Sequence, residues 1–569
     1  MKKFYILSAV LFCLLVKHSS AQTWVADSSF GVNSILTIQP GSSTSSVYPT
    51  NLLIQPDGKI ICAGRDYDVQ FNDQHNDMVR FDKCDGSIDS TFGTNGIVHH
   101  NFDFRNGAED YVLQPDGKII CSGSQNSSNA ASTVRAFVAR YKTDGTVDSS
   151  WNNTGTTIQS LFTGASKGFS VMLTPNNRVI FTATGGNGIG DMRFLTNGSL
   201  DTSFNHTGQC AAAINFANSG HGHLLQNGKI INVFPYSTGN AYTAGAVLFD
   251  STGTRDLTFG NSGLFNYTLD VANFVISAIQ PDENIIIAMS KVSQPISYVL
   301  RLTPTGVLDS TFGTNGTAFV GDATNPVGEV NNITVLQNGK ILIEGSTGFG
   351  ATGIIARLNN NGTIDATFGS NGYLTRNDMG YITTAIELTN GDLLIAGISN
   401  AAGANEMIVR YTLQSNLPLI SFNGTILSTT GIGTYQWFFN GNPAGTNSNT
   451  FTPTTNGTYT LQITDALGCN RLSAAFVITT TGINEIAGEN GINIYPNPAK
   501  GEFTITLNAA LLNAQVVIFN VLGENVFEIN ISNELKTEIN LKNISAGMYF
   551  VKVSDGEKQY TKKLIVEDN

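Results

Sequence analysis

Charge is scarce in this 569-residue chain, where Asp, Glu, Lys and Arg together make up 13% against roughly 25% in an average soluble protein. No run of like charge forms an acidic or basic tail. Basic residues number 31 against 43 acidic ones, and such a chain repels phosphate backbones, which argues against a nucleic-acid partner. Cysteine is sparse too. Cys62, Cys84, Cys121, Cys210 and Cys469 lie far apart and are odd in number beyond Cys13, a pattern that fits neither a disulfide framework nor a zinc set. Beyond the first twenty residues no stretch is apolar enough to cross a bilayer. What is plentiful is glycine, 59 residues of it, with Ser, Thr and Asn, the composition of a turn-rich chain with a neutral polar surface.

The start, MKKFYILSAVLFCLLVKHSSAQ, sets Lys2 and Lys3 before an apolar run from Phe4 to Val16 and small residues at 19 to 21. This is the pattern of a secretory signal peptide over 1–21, with cleavage expected between Ala21 and Gln22. Leu11-Phe12 before Cys13 does not suit a lipoprotein peptidase. Losing Lys2, Lys3 and Lys17 takes the formal charge from −12 to −15.

The eight residues DSTFGTNG occur at Asp89 to Gly96 and again at Asp309 to Gly316, and variants recur all along the chain. Their aromatics are Phe30, Phe92, Trp151, Phe204, Phe259, Phe312 and Phe368, spaced 62, 59, 53, 55, 53 and 56 residues apart. A tight-turn word such as QPDGK follows each one. Next comes a strand ending near Arg80, Arg140, Arg193, Leu248, Arg301, Arg357 and Arg410. Each unit reads as four strands, the first just after the aromatic, with the turn word joining the second to the third. Third strands such as IICSG and LLIAG are almost wholly apolar, as in sheets covered on both faces. Seven such sheets stacked side by side predict an all-β, seven-bladed β-propeller. Within it the Asp of DSTFG should cap its own turn, and the aromatic should fill the seam between blades.

The register of R, DG, D, TFG and QPDGK resembles the delta-60 repeat of secreted bacterial proteins, from about Asp27 to Thr412. That resemblance implies a propeller-like fold over 22–415 and no agreed activity. From 416 to 481 only Asp465 and Arg471 are charged. There TYQWFFNG and a Tyr459 strand resemble the immunoglobulin-like modules of bacterial surface proteins, which implies a small β-sandwich. Such modules often pair a cysteine with the one matched by Cys469; with no second cysteine in this segment, a disulfide there is not expected.

From 482 to 569 the words INIYPNPAKGEFTITL, VVIFNVLGENVF and ISAGMYFVKV resemble the type A sorting domain of the type IX secretion system of Bacteroidota. Tyr495, Pro496, Asn497, Pro498, Gly501, Gly523 and Gly547 carry the match, with Phe503, Asn520, Tyr549, Val551 and Val553. The resemblance implies a second β-sandwich, the type IX machinery as a partner, and release or cell-surface attachment after loss of the tail.

Catalytic chemistry is hard to find. GASKG, Gly164 to Gly168, fits G-x-S-x-G but leads into a strand, so it lacks the strained strand-to-helix elbow that exposes a nucleophile. His221 and His223 share one strand face without a nearby third ligand and suit a blade edge, and His99 and His100 point oppositely. DKCDGSID keeps too few of its carboxylates from unit to unit to be a calcium loop. No catalytic residue, metal or cofactor is expected. Two classes of function fit: a secreted or surface binding protein for glycan or protein, and an extracellular polysaccharide lyase or hydrolase using the propeller funnel. For binding, the loops opposite the repeated turns vary most in length, and they offer Arg65, Tyr67, Phe71, His75, Tyr236 and Tyr242.

Overall fold

A computed structural model describes residues 24–567 except 40–44, 69–72, 102–106, 127–133, 163–164, 186–187, 215–218, 238–241, 268–274, 291–295, 349, 401–404, 480–491, 508–510, 512, 542–543 and 556–558. The expected signal peptide and its Ala21 and Gln22 fall outside the described residues. By its contacts the chain divides into two units, 1–477 and 478–569.

Among the described residues of the first unit, seven antiparallel sheets follow one another along the chain. The first holds Ser45–Ile54, Ile60–Asp68, Asp73–Phe81 and Ile97–His100 in that order. Each sheet packs against the next, and the seventh packs against the first, closing a ring. The second strand of each sheet lies between two neighbours, so Ile285–Ser290 and Ile341–Ser346 are buried along their whole length. This is a β-propeller, and the apolar runs read from the sequence are its doubly covered strands.

The phase of the repeat differs from the sequence reading. The strand after each aromatic does not open a new sheet; it is the outermost strand of the sheet before it, as Ile97–His100 pairs with Asp73–Phe81. The DSTFG word is therefore a connection inside a sheet. One consequence is how the ring closes. Trp24–Ala26 and Ile35–Ile38, from the start of the chain, both pair with Glu406–Leu413 and complete the seventh sheet.

The repeated residues form one linkage used around the ring. Asp89 Oδ1 accepts from the Thr91 N–H at 3.1 Å and the Thr91 hydroxyl at 2.7 Å, which is the expected turn cap. Its other oxygen pairs with Arg80. Ion pairs of the same kind join Arg140 to Asp148, Arg193 to Asp201, Arg301 to Asp309, Arg357 to Asp365 and Arg410 to Asp27, all within 2.6 to 2.9 Å. Each of these arginines also stands over the aromatic of its own linkage, 4.5 to 5.2 Å from the ring centre. Arg80 donates onward to the carbonyl of Thr143 in the next turn at 2.7 Å. The Gly93 N–H reaches the Asp144 carbonyl of that turn at 2.8 Å. Gly145 follows, at φ +83°, and a Cβ there would meet the Phe92 ring at 2.9 Å. Glycine is needed for both the angle and the ring. Phe92 is fully buried among residues of the first and second sheets, as a seam residue should be.

Most units bring a cation to this Asp from the last position of the hairpin word, Lys59, Lys118, Arg178, Lys229 and Lys340, a second one beside the arginine except for Lys229, whose unit has Leu248 in the arginine position. The seventh unit has Asp392 in that position. There the cation comes from outside the ring. Arg471 pairs with Asp392 and lies 3.2 Å from Asp27, donates to Thr412 Oγ1 at 3.1 Å, and has Asp465 at 3.4 Å. The only two charges of the 416–481 stretch thus hold it against the closing sheet.

This stretch forms two small sheets whose interior is Leu427, Trp437, Tyr459, Leu461 and Ile463. Cys469 is bonded to Cys84 of the first sheet's DG turn, across 385 residues of sequence, with Cα atoms 5.1 Å apart. The expectation of no disulfide is therefore overturned. The partner lies in a different segment, brought near by the same docking that seats Arg471. Cys62, Cys121 and Cys210 are buried thiols.

The second unit has a three-stranded and a four-stranded sheet around Phe503, Ile505, Val516, Ile518, Val551 and Val553. Asn497 ties two parts of it together, donating to the Lys563 carbonyl at 2.7 Å and accepting from the Ile565 N–H at 2.8 Å. Both of its flanking X-Pro bonds, Tyr495-Pro496 and Asn497-Pro498, are cis. Gly501 and Gly523 sit at positive φ in turns, and Gly547 opens the strand Gly547–Ser554.

Candidate ligand-binding channel

The first strands of the seven sheets face the ring axis and enclose a channel of about 1170 Å³. Its wall carries Tyr48, Asn51, Ser170, His221, His223, Ser277, Asn331 and Asn332 among others. Side-chain bonds lace neighbouring sheets along this wall. Asp110 of the second sheet accepts from Asn51 Nδ2 of the first and from the Val171 N–H of the third, each at 2.9 Å. Ser170 takes the Gly222 N–H at 3.1 Å, His223 Nε2 meets Ser277 Oγ at 2.9 Å, and Asn331 Nδ2 donates to the Ile382 carbonyl at 3.1 Å.

Of the groups that could do acid or base chemistry here, Asp110 and His223 are occupied by this lacing and Glu109 is paired with Arg65. Burial raises Asp110 to about 6 against the donors that hold it, and burial lowers His221 to about 4 and His223 to about 3. Both imidazoles are thus neutral near pH 7. They do stand on a sheet edge, as their spacing implied, and that edge is the inner one. The wall offers a ligand hydroxyl, carboxamide and imidazole groups, the exposed Tyr48 ring, the exposed cation Lys167 and the Arg65–Glu109 pair. The hydroxyl, carboxamide and imidazole groups donate and accept hydrogen bonds without fixed charge.

Of the residues expected from the variable loops, Arg65 lies on the channel wall and is paired with Glu109. His75 stands opposite Asp66 in the first sheet, Nδ1 to Oδ1 at 2.9 Å. Tyr236 is partly buried against the third and fourth sheets. Tyr67 and Tyr242 are on strands, their side chains outside the description, and Phe71 lies outside the described residues. The structure therefore brings Arg65 and His75 onto neighbouring strands and leaves Tyr236 in another sheet.

The remaining motifs have structural roles. Ser166 of GASKG is fully buried, its Oγ accepting from the Phe162 N–H at 3.2 Å. Asp82 and Asp85 of DKCDGSID cap the turn, through the N–H groups of Cys84 and Ser87. Sequence reasoning missed one grouping. Asp66, His75 and His99 place ligand-type atoms within 4.8 Å of one another, because His99 faces across the strands and not toward His100. Spacings of nine and twenty-four residues carry no metal signature; only the strand register reveals it.

Residues 493–567 match the family described as the secretion system C-terminal sorting domain. Segments 55–92, 114–150 and 336–368 match a domain of unknown function described as a β-propeller. No curated protein matches the chain. Among solved structures, the polysaccharide lyase Uly1 is 9% identical, with a TM-score of 0.40 over 64% of this chain and 90% of that one. Sqt1 from Chaetomium thermophilum is 9% identical, with a TM-score of 0.37 over 66% and 99%. Prolyl oligopeptidase B from Galerina marginata is 10% identical, with a TM-score of 0.32 over 62% and 47%. The sorting domain supports export by type IX secretion, to the medium or the cell surface.

Proposed function

We propose that the protein is an extracellular binding module, which holds a glycan or a protein segment in the propeller channel once export has removed the signal peptide and the tail from about Ile483. The observation that carries this reading is the chemistry of the channel wall. Hydroxyl, carboxamide and imidazole groups surround an exposed tyrosine ring, Asp110 and His223 are tied between sheets, and Lys167 adds one exposed cation. Hydroxyl-rich sugars and peptide backbones are recognised by groups of this kind, with an aromatic face supplying apolar contact. Arg65 lies on the wall, and Tyr67, Phe71, His75, Tyr236 and Tyr242 would extend the contact. Our reading includes an immunoglobulin-like nature for 416–481, a delta-60 kinship for the repeats, and a bacteroidotal source; the register of the repeat and the sorting tail support the last two.

A glycan array and a peptide library presented to the secreted protein, with Tyr48→Ala and Asn332→Ala compared to the natural chain, test the proposal. Binding should fall at least about tenfold in each variant, as for loss of one well-placed contact, with the melting temperature unchanged. Equal binding by both variants would remove the site from the channel. Shortening of a polysaccharide during the assay would favour an enzyme instead.

A further inference from the structure

We propose that Asp66, His75 and His99, with Asp77 beside them, bind one divalent first-row transition ion of the zinc class. The four residues occupy one face of the first sheet by register. Asp66 is opposite His75 in the pairing of Ile60–Asp68 with Asp73–Phe81, Asp77 is opposite His99 in the next pairing, and His75 and Asp77 are two apart on one strand. Alternation along a strand puts all four on the same side. Asp66 and Asp77 are 0% and 1% exposed. His99 Nδ1 meets Asp77 Oδ1 at 2.7 Å, and the two imidazole rings lie 4.1 Å apart.

One observation independent of the grouping points to a cation: Asp66 Oδ2 and Asp77 Oδ2 are buried with no hydrogen-bond partner among the described residues. A buried carboxylate oxygen left so is costly, and a metal ion is one way of satisfying it. The donor atoms of Asp66, His75 and His99 lie within 4.8 Å of each other, and small side-chain rotations bring them toward the about 3.4 Å edge of a tetrahedron with bonds of about 2.1 Å. Two imidazoles with carboxylate select zinc, cobalt, nickel or copper over calcium and magnesium, which prefer oxygen alone.

The test uses the full chain, free of affinity tags and stripped of metal, titrated with zinc chloride by calorimetry and with cobalt(II) by visible absorption. One zinc ion per chain is expected, with a tetrahedral cobalt spectrum. Affinity should drop by about 100-fold or more in His75→Ala and in His99→Gln, and remain unchanged in His223→Ala. The His99 side chain is 38% exposed, so His99→Gln keeps the test open if His75→Ala fails to fold. Absence of saturable zinc binding, zinc affinity unmoved by His99→Gln, or calcium binding as tight as zinc would each overturn the proposal.

Discussion

The two ends of the propeller are built on opposite electrostatic terms. At the end of the repeated turns, carboxylates are surrounded by cations and hydrogen-bond donors. Hydrogen bonds from Thr258 and Lys229 bring Asp256 down to about 2. At Asp365 burial works the other way, but bonds from Lys340 and Thr367 and the charge of Arg357 outweigh it, again to about 2. In the interior, Asp191, Glu406 and Glu344 have no cation at ion-pair distance among the described residues, although toward the other end Glu109 pairs with Arg65 and Asp378 with Arg376. Burial raises Asp191 to about 6, Glu406 to about 7 and Glu344 to about 8. One end is fastened by a motif repeated with little change, and the other holds residues that differ from sheet to sheet. Fastening and variation are segregated, which is how a rigid scaffold can carry a specific site.

The largest test of that division is to remove a fastening ring. Phe312 is fully buried between the fifth and sixth sheets, beneath Arg301 at 4.9 Å. Phe312→Ala should cost about 3 to 5 kcal/mol, the range for emptying a buried aromatic site, and should be read as a drop in the denaturant midpoint. A midpoint equal to that of the natural protein would mean that the aromatic does not hold the seam.

The second test uses the opposite signs of titration. Carboxylates depressed to about 2, such as Asp365, contribute stability that is present above the unfolded value near 4 and lost as pH falls through 2. Glu344 is the reverse case. Its folded pKa of about 8 exceeds the unfolded value of 4.5, so the folded state keeps a proton that the unfolded chain has released. Its stabilisation is full below about pH 4.5 and is lost as pH rises through 8. Glu344→Gln keeps the shape without the charge and should gain about 3 to 4 kcal/mol over the natural protein between pH 5 and pH 8.5. Urea unfolding at the two pH values measures it, and an unchanged pH dependence would show that Glu344 ionises in the fold without cost.

The same division explains what could be read from the sequence. The fastening end repeats, so DSTFG, QPDGK and the recurring arginine were visible as a register, and their roles as cap and seam followed from residue chemistry. Their mutual pairing was not visible, because Arg80 and Asp89 are joined by the fold and not by any spacing rule. The phase of the sheets was hidden as well. A periodic sequence has no marked beginning, and strand pairings such as Ile97–His100 with Asp73–Phe81 and Ile35–Ile38 with Glu406–Leu413 show where one sheet ends. At the variable end nothing repeats, and the Asp66, His75 and His99 grouping depends on cross-strand register. The Cys84–Cys469 bond was missed for a related reason, since each half lies in a different segment.

The smallest test concerns the second cation, and the fourth unit makes it informative. Where other units have an arginine, this one has Leu248, so Asp256 pairs with Lys229 at 2.9 Å and, among the described residues, with no arginine. In the first unit Asp89 has both Arg80, buried, and Lys59, about one third exposed. An exposed lysine contributes little where a buried arginine already neutralises the carboxylate, so Lys59→Ala should cost no more than about 0.5 kcal/mol. Lys229→Ala leaves Asp256 with only its Thr258 bonds and should cost about 1 kcal/mol, the upper end for a partly screened pair. Because Asp256 is held at about 2 largely by Thr258 and Lys229, the Lys229→Ala loss should shrink as pH is lowered from 6 to 2, where the carboxylate takes up its proton. Comparing the two variants by chemical denaturation at both pH values decides the matter: equal losses would mean that the arginine and the lysine do not share one carboxylate as the linkage requires.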